Sequence, residues 1–337
     1  METVTLSYVI PLYNGSKTII KCLDSIYASG MPLECFEVIV VDDCSTDDSV
    51  EVVKHYAASH PNIRMIQHTE NKRQGGAKNT GIRAAYGKYV AFSDQDDVAI
   101  SENLAKMLDI AKAQEADMLS FRWVEIRNGI SRLCFVRDLE ETEFGGVDFC
   151  EKVFDPADSL GPWSYLYKRA YLNDQDHFFA ENVMMEDADW IAWHLVHAKK
   201  IHREEVPVYQ WIRNDQSITA STSWQFKADF VLFGLRKIEE AEQYGTLSQK
   251  FAQTMHDDGV YNIETSLRTL WKADRYKPFF EKLGNNGAFG RMKKMSWSPK
   301  TSFVIGHPGI ARLSLSVVGP ILKAVRSFTK KNRKKQL

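Results

Sequence analysis

The sequence predicts an α/β fold built on a parallel sheet, and three observations carry that prediction. Short apolar runs at residues 6–14, 36–41, 63–67 and 89–92 alternate with stretches of helical spacing. The runs are apolar almost throughout instead of alternating, as strands covered by helices on both faces must be. Polar clusters follow these strands, at Asp42-Asp43, at the basic glycine-rich stretch 71–81, and at Asp94, Asp96 and Asp97. All three therefore fall at the carboxyl edge of the sheet, where ligands bind in such folds.

The elements follow in order. The first strand is stopped by Pro11 and Asn14, and Ser16 is placed to cap a helix to about residue 29, with Ile19, Ile20, Leu23 and Ile26 on one face. The second strand runs into Asp42-Asp43-Cys44-Ser45-Thr46-Asp47, followed by a helix at about 48–59. After the strand at 63–67, Asn71-Lys72-Arg73-Gln74-Gly75-Gly76-Ala77-Lys78-Asn79-Thr80-Gly81 reads as a loop opening a helix through residue 85. The strand at 89–92 delivers three carboxylates within four positions. Like charges that close repel unless a cation lies among them, and hard oxygen donors on a short turn suit Mg²⁺ or Mn²⁺, with a diphosphate completing the ligand set. The competing reading is a solvated acidic turn capping the next helix.

Further on, the spacing predicts a helix at 99–115, a strand at 117–124, a strand near 133–136 and helices at 144–154 and 187–198. A strand lies within 201–212, and helices follow at 224–244 and 247–272. His194 and His197 stand three apart on the helix at 187–198, but without an evident third ligand they read as packing or surface residues. The expected organisation is a catalytic domain over 1–222, a helical extension over 223–283 and a tail over 284–337, with Gly284-Asn285-Asn286-Gly287 at the second boundary.

The bulk numbers exclude several classes. Five cysteines without a CxxC pair make neither a disulfide framework nor a zinc ribbon, which suits a reducing compartment. The N-terminus lacks a signal-peptide pattern and no eighteen-residue apolar run exists, so a cytoplasmic location is expected. The net charge of −1 hides an asymmetry: from Lys282 onward there are thirteen Lys or Arg and no acid, leaving residues 1–281 at −14. In the tail, Ile310, Leu313, Val317, Val318, Ile321, Val325 and Phe328 recur at helical spacing ahead of Lys330-Lys331-Asn332-Arg333-Lys334-Lys335. This reads as an interfacial helix with a polybasic end, seated peripherally on an anionic inner membrane surface. Docking on the chain's own acidic body is the alternative. A nucleic-acid partner is not expected, because aromatics are not interleaved with the basic residues.

Four motifs in order and spacing carry a resemblance: Val9-Ile10-Pro11-Leu12-Tyr13-Asn14, Val40-Val41-Asp42-Asp43-Cys44-Ser45-Thr46-Asp47, Gly76-Ala77-Lys78-Asn79-Thr80-Gly81 and Phe92-Ser93-Asp94-Gln95-Asp96-Asp97. Over about residues 4–220 the chain resembles family 2 glycosyltransferases, which have the GT-A fold and are inverting, metal-dependent enzymes using nucleotide-sugar donors. The resemblance implies that Tyr13 and Asp43 hold the nucleobase, typically uracil, and an aromatic face and an acceptor carboxylate are suited to that. Core packing is the alternative for Tyr13. By the same resemblance Pro11, Asn14, Ser45, Lys78, Asn79, Asp94, Gln95 and Arg213 line the donor, with a surface arginine the alternative for Arg213; Asp94, Asp96 and Asp97 hold the metal, and Trp163 stacks on the acceptor, an ordinary core tryptophan being the alternative. Asp187 becomes the catalytic base with Glu186 beside it, near the positive end of a helix; a helix cap is the alternative there.

Lys78 stands where the family often has Arg, and supplies charge without a bidentate fork. Ser93 and Gln95 replace commoner residues without removing a metal ligand. The expected reaction is transfer of a sugar from a UDP-linked donor to a hydroxyl of a saccharide or lipid-linked acceptor, in cell-surface glycan synthesis. A nucleotidyltransferase and a non-catalytic nucleotide-sugar-binding module are the rivals. A dinucleotide-dependent oxidoreductase is disfavoured, since the first strand lacks GxGxxG.

Overall fold

The computed structural model describes residues 4–134, 139–155, 161–213, 223–270, 275–295, 297, 299–308 and 311. The chain divides into two compact units, Met1–Asn214 and Asp215–Leu337.

The first unit holds β1 (Leu6–Leu12), α1 (Ile19–Tyr27), β2 (Phe36–Asp42), α2 (Ser49–Ala57), β3 (Ile63–Gln67), α3 (Arg73–Ala84) and β4 (Tyr89–Phe92). There follow β5 (Val98–Ala99), α4 (Ser101–Ala113), β6 (Met118–Arg127), β7 (Ile130–Cys134), β8 (Glu143–Phe144) and α5 (Gly146–Lys152). The unit closes with β9 (Tyr165–Lys168), α6 (Arg169–Gln175), α7 (Asp187–His197) and β10 (Ile201–Arg213). One sheet runs in the order β3-β2-β1-β4-β9-β6-β10-β5, with β7 on β6 and β8 on β10.

The expected parallel sheet is found for β3-β2-β1-β4, with Leu6 opposite both Phe36 and Tyr89. Beyond β4 the sheet is mixed, because β9 inserts antiparallel between β4 and β6. β1, β2 and β4 are buried at every position, which accounts for their unbroken apolar runs. Two local expectations shift. Helix α1 starts at Ile19 behind Thr18, and the Ser16 amide instead donates to Asp47 Oδ2 at 3.2 Å. The glycine-rich stretch is itself helical from Arg73 onward, since its glycines serve close packing: a Cβ on Gly81 would lie 2.2 Å from Val9 Cγ1. Residues 135 and 136 of the expected strand lie outside the described residues; its first part is the end of β7.

The second unit contains α8 (Trp224–Tyr244), α9 (Gln249–Arg268), α10 (Lys277–Asn285), α11 (Ala288–Met292) and α12 (Pro299–Gly306). Ser223 and Ser248 cap α8 and α9 by accepting the amides of Phe226 and Phe251. The two helices cross closely at glycines: a Cβ on Gly234 would lie 2.6 Å from the Gly259 carbonyl oxygen, and the reverse holds equally. Val231, Leu235, Ile263, Phe279, Met292 and Ile305 share one core, so Gly284 to Gly287 is a turn inside this unit. Among the described residues no helix is long and apolar enough to cross a membrane. Apart from Ala311, the tail from Gly309 onward, with its apolar series and basic end, lies outside the described residues.

Candidate active site

The carboxyl ends of β1, β2 and β4 form one rim. At the first corner Tyr13 leaves β1 with its side chain 49% exposed, which removes the core-packing alternative for it. Gln95 from the acidic turn clamps its peptide: the Tyr13 amide donates to Gln95 Oε1 at 2.8 Å, and Gln95 Nε2 donates to the Tyr13 carbonyl at 3.0 Å. Asn14 sits in the left-handed region, φ 50°, which a short amide side chain tolerates. Its amide donates to Ser45 Oγ at 2.9 Å, and its Oδ1 accepts the Thr46 amide at 2.8 Å. Asn14 and Ser45 thus lock the loops after β1 and β2 together. Pro11, inside β1, is buried.

Asp43 is buried beside this corner, its amide donating to the Leu12 carbonyl at 2.8 Å. Its Oδ1 accepts both His68 Nδ1–H and the Lys72 amide, each at 2.8 Å. His68 Nε2 in turn meets Thr80 Oγ1 at 2.9 Å.

The acidic turn after β4 divides its three carboxylates. Asp96 is exposed and Asp94 half-buried, but Asp97 is buried with both oxygens engaged. Oδ2 accepts the Tyr209 hydroxyl at 2.8 Å and Oδ1 the Ile212 amide at 2.7 Å, while Tyr209 Oη accepts the Asp94 amide at 2.9 Å. Tyr209 therefore braces the turn from both ends. Burial, Asp94 and Asp96 push the Asp97 carboxyl up to about 8, against the Ile212 and Tyr209 donors. Burial pushes Asp94 up to about 6, with Lys78 opposing and Asp96 and Glu186 adding. Crowded acids held above their usual range fit a cation among them, and the available oxygens of Asp94 and Asp96 are hard donors of the Mg²⁺ or Mn²⁺ type. Among the described residues no three His, Cys, Asp or Glu side chains stand close enough to hold an ion unaided. Such an ion needs further ligands from a bound molecule.

Lys78 connects this turn to the start of α7. Its ammonium is buried, 2.9 Å from Glu186 Oε1 and 2.5 Å from Asp187 Oδ1. Burial alone would lower its pKa; Asp187, Glu186 and Asp94 outweigh that and hold it above the ordinary lysine value. Asp187, with 30% of its side chain exposed, is pushed above the usual carboxylate range by burial and then by Glu186, while Lys78 opposes and Asp94 adds. Asn79 fixes the approach to this pair by donating to the Phe179 carbonyl at 3.0 Å and Glu181 Oε1 at 3.1 Å, and accepting the Phe179 amide at 2.9 Å. Gly75 lets the segment lie against α3, since a Cβ there would stand 2.2 Å from the Ala180 carbonyl oxygen. Backbone strain gathers nearby, with Asn14, Cys44, Arg73, Asn182 and Met185 all at φ between 50° and 66°.

Two expected contacts stand apart. Trp163 is 7% exposed; it stacks on Tyr209 at 4.5 Å and 9° and meets Trp123 edge-on at 4.9 Å. Its face supports the tyrosine that braces the acidic turn. Arg213, at the end of β10, pairs with Glu125 at 3.1 Å and lies over the Trp211 ring; residues 214–219 beside it lie outside the described residues. His194 is buried in an aromatic cluster, 4.3 Å from the Trp190 ring, where burial lowers its pKa to about 3. Sequence reasoning passed over Tyr209 and His68. Tyr209 read simply as a strand residue, whereas His68 follows β3 at the same rim and was findable from that position.

A family model described as glycosyl transferase family 2 matches residues 7–134. A poly(ribitol-phosphate) beta-glucosyltransferase of Bacillus spizizenii is 39% identical over 114 residues, covering 34% of this chain and 18% of that protein. The first curated relatives are matched over 18–33% of their own length. Among solved structures, Staphylococcus aureus TarS 1–349 in complex with UDP-GlcNAc superposes with a TM-score of 0.61 at 21% identity, covering 90% of this chain and 91% of that one. Mannosyltransferase PcManGT from Pyrobaculum calidifontis in complex with GDP-Man and Mn²⁺ gives 0.57 at 18% identity, covering 97% and 85%. Residues 7–134 thus match glycosyl transferase family 2, and the fold is the one these glycosyltransferase structures share.

Proposed function

We propose that the chain transfers a sugar from a nucleoside-diphosphate donor, UDP-linked by preference, to an acceptor hydroxyl with inversion, in the assembly of a cell-surface polymer. The observation that carries this is the convergence on one rim of the acidic turn, the Tyr13–Asp43 corner and the Lys78–Glu186–Asp187 cluster. The relatives named as glycosyltransferases and the neighbours solved with UDP-GlcNAc and with GDP-Man and Mn²⁺ support the reading.

In this reading Tyr13 and Asp43 receive the base. Asp94 and Asp96 are the metal ligands, and Asp97, with both oxygens engaged, holds the turn. When bound, a divalent cation offsets the charge building on the leaving diphosphate. Asp187 accepts the proton of the acceptor hydroxyl, and the hydroxyl oxygen bonds to the anomeric carbon as the bond to the departing nucleoside diphosphate breaks on the opposite side. Lys78 holds Glu186 and Asp187 in place and opposes the rise that burial and Glu186 impose on the base's pKa. Asn14, Ser45, Gln95 and Asn79 shape the site through the loops they bind.

Incubation with a panel of nucleotide sugars and Mn²⁺ tests the class, and the anomeric proton of the product tests the stereochemistry. Asp187→Asn is expected to lower transfer by about 10²–10⁴-fold with donor binding retained. A retained configuration, or a wild-type rate in Asp187→Asn, refutes the mechanism. For the tail we propose attachment to an anionic membrane surface; removing residues 309–337 is expected to release the protein from anionic vesicles with donor hydrolysis intact.

A further inference from the structure

The Asp43 carboxylate is held asymmetrically. Two donors, His68 Nδ1–H and the Lys72 amide, converge on Oδ1, and no donor among the described residues reaches Oδ2. His68 is itself fixed on every side. Its amide donates to the Asp42 carbonyl at 2.9 Å, its carbonyl accepts the Cys44 thiol at 3.2 Å, and its Nε2 meets the Thr80 hydroxyl at 2.9 Å. Since a carboxylate only accepts, the ring proton sits on Nδ1, and in the neutral ring Thr80 donates to Nε2. Thr80 lies on α3, the helix that also carries Lys78 and Asn79.

We propose that His68, backed by Thr80, fixes which oxygen of Asp43 meets the base, so that the chain selects nucleoside diphosphates whose base carries a ring N–H. The proposal rests on the reading that Tyr13 and Asp43 receive the base. A free carboxylate oxygen accepts the N3–H of uracil or the N1–H of guanine. Against cytosine N3 or adenine N1 it sets lone pair against lone pair, and a site built around one hydrogen bond rejects strongly a ligand that cannot make it. The asymmetry has a further consequence. In Asp43→Asn the two donors still require oxygen at the Oδ1 position, which leaves the amide NH₂ at the other. The site then offers a donor where it offered an acceptor, and the preference should invert.

Calorimetric binding of UDP, GDP, CDP and ADP to the full chain in Mn²⁺ tests this. UDP or GDP is expected to bind at least about tenfold tighter than CDP and ADP, as loss of one charged hydrogen bond implies. Asp43→Asn should shift that ratio about tenfold or more toward CDP or ADP. His68→Leu should narrow it at least about threefold, and His68→Gln, which keeps an N–H donor, should preserve it. A wild-type protein that binds all four alike, or none, overturns the base-site reading and the proposal with it. A wild-type preference left unchanged by His68→Leu overturns the role of His68 alone. Should His68→Leu fail to fold, an unshifted ratio in Asp43→Asn overturns the proposal.

Discussion

Replacing Lys78 with methionine keeps most of the stem's volume and removes the charge. The ammonium is buried against Glu186 Oε1 and Asp187 Oδ1, with Asp94 adding to the field. Breaking a buried pair from one side costs about 3–5 kcal/mol, and the 30% exposure of Asp187 argues for the lower end. At about 2–4 °C per kcal/mol for a unit of this size, a loss of about 3 kcal/mol lowers the melting temperature of the Met1–Asn214 unit by about 6–12 °C. The deficit should depend on pH with a definite sign. Burial and then Glu186 already hold Asp187 above its ordinary value while Lys78 opposes, so removing Lys78 raises it further. A carboxyl raised in the folded state contributes stability at pH below its unfolded value and loses it as pH rises through the folded one. The deficit of Lys78→Met should therefore be larger at pH 8 than at pH 5.5. Thermal unfolding followed by circular dichroism at both pH values measures it. A melting temperature within a degree of wild type, or a deficit that grows toward acid, refutes the account of Lys78 as the charge holding this cluster together.

Other outcomes follow from the same contacts. Tyr209→Phe deprives the Asp94 amide and Asp97 Oδ2 of their shared partner, and should cost about 1–3 kcal/mol of stability and weaken Mn²⁺ binding, read by denaturant titration and calorimetry. Because Asp94 and Asp97 are raised to about 6 and about 8, the metal-free protein should lose stability as pH rises from 5.5 to 8.5, and the gain in melting temperature on adding Mn²⁺ with UDP should grow over that range. Gly161→Ala places a Cβ 2.0 Å from Trp163 Cε2, so the indole must leave its stack on Tyr209; near-ultraviolet circular dichroism should change, with a stability loss of about 1–3 kcal/mol. Gly75→Ala meets the Ala180 carbonyl oxygen at 2.2 Å and should lower transfer rate more than donor affinity, as steady-state kinetics with varied donor would show.

The sequence determined most of the first unit's framework. Periodicity placed β3 and β4 at their observed residues, and α8 likewise, because an unbroken apolar run or a long amphipathic series is written in consecutive residues. The rim was legible for the same reason: a parallel sheet sends every strand's carboxyl end to one side, so polar residues after β1, β2 and β4 had to meet there. What each side chain does within the rim was not legible. Three acids within four positions look alike in sequence. Only the arrival of β10 distinguishes them, because Tyr209 and Ile212, more than a hundred positions later, occupy both oxygens of Asp97 and leave those of Asp94 and Asp96 available. In the same way Lys78 read as a cation for a diphosphate until α7 brought Glu186 and Asp187 onto its ammonium. Trp163 read as an open face until Tyr209 covered it. Local sequence carries propensity and pattern, which are properties of neighbours along the chain. Whether a charged or aromatic group is free or engaged depends on partners that folding supplies from far away, and that only the tertiary structure decided.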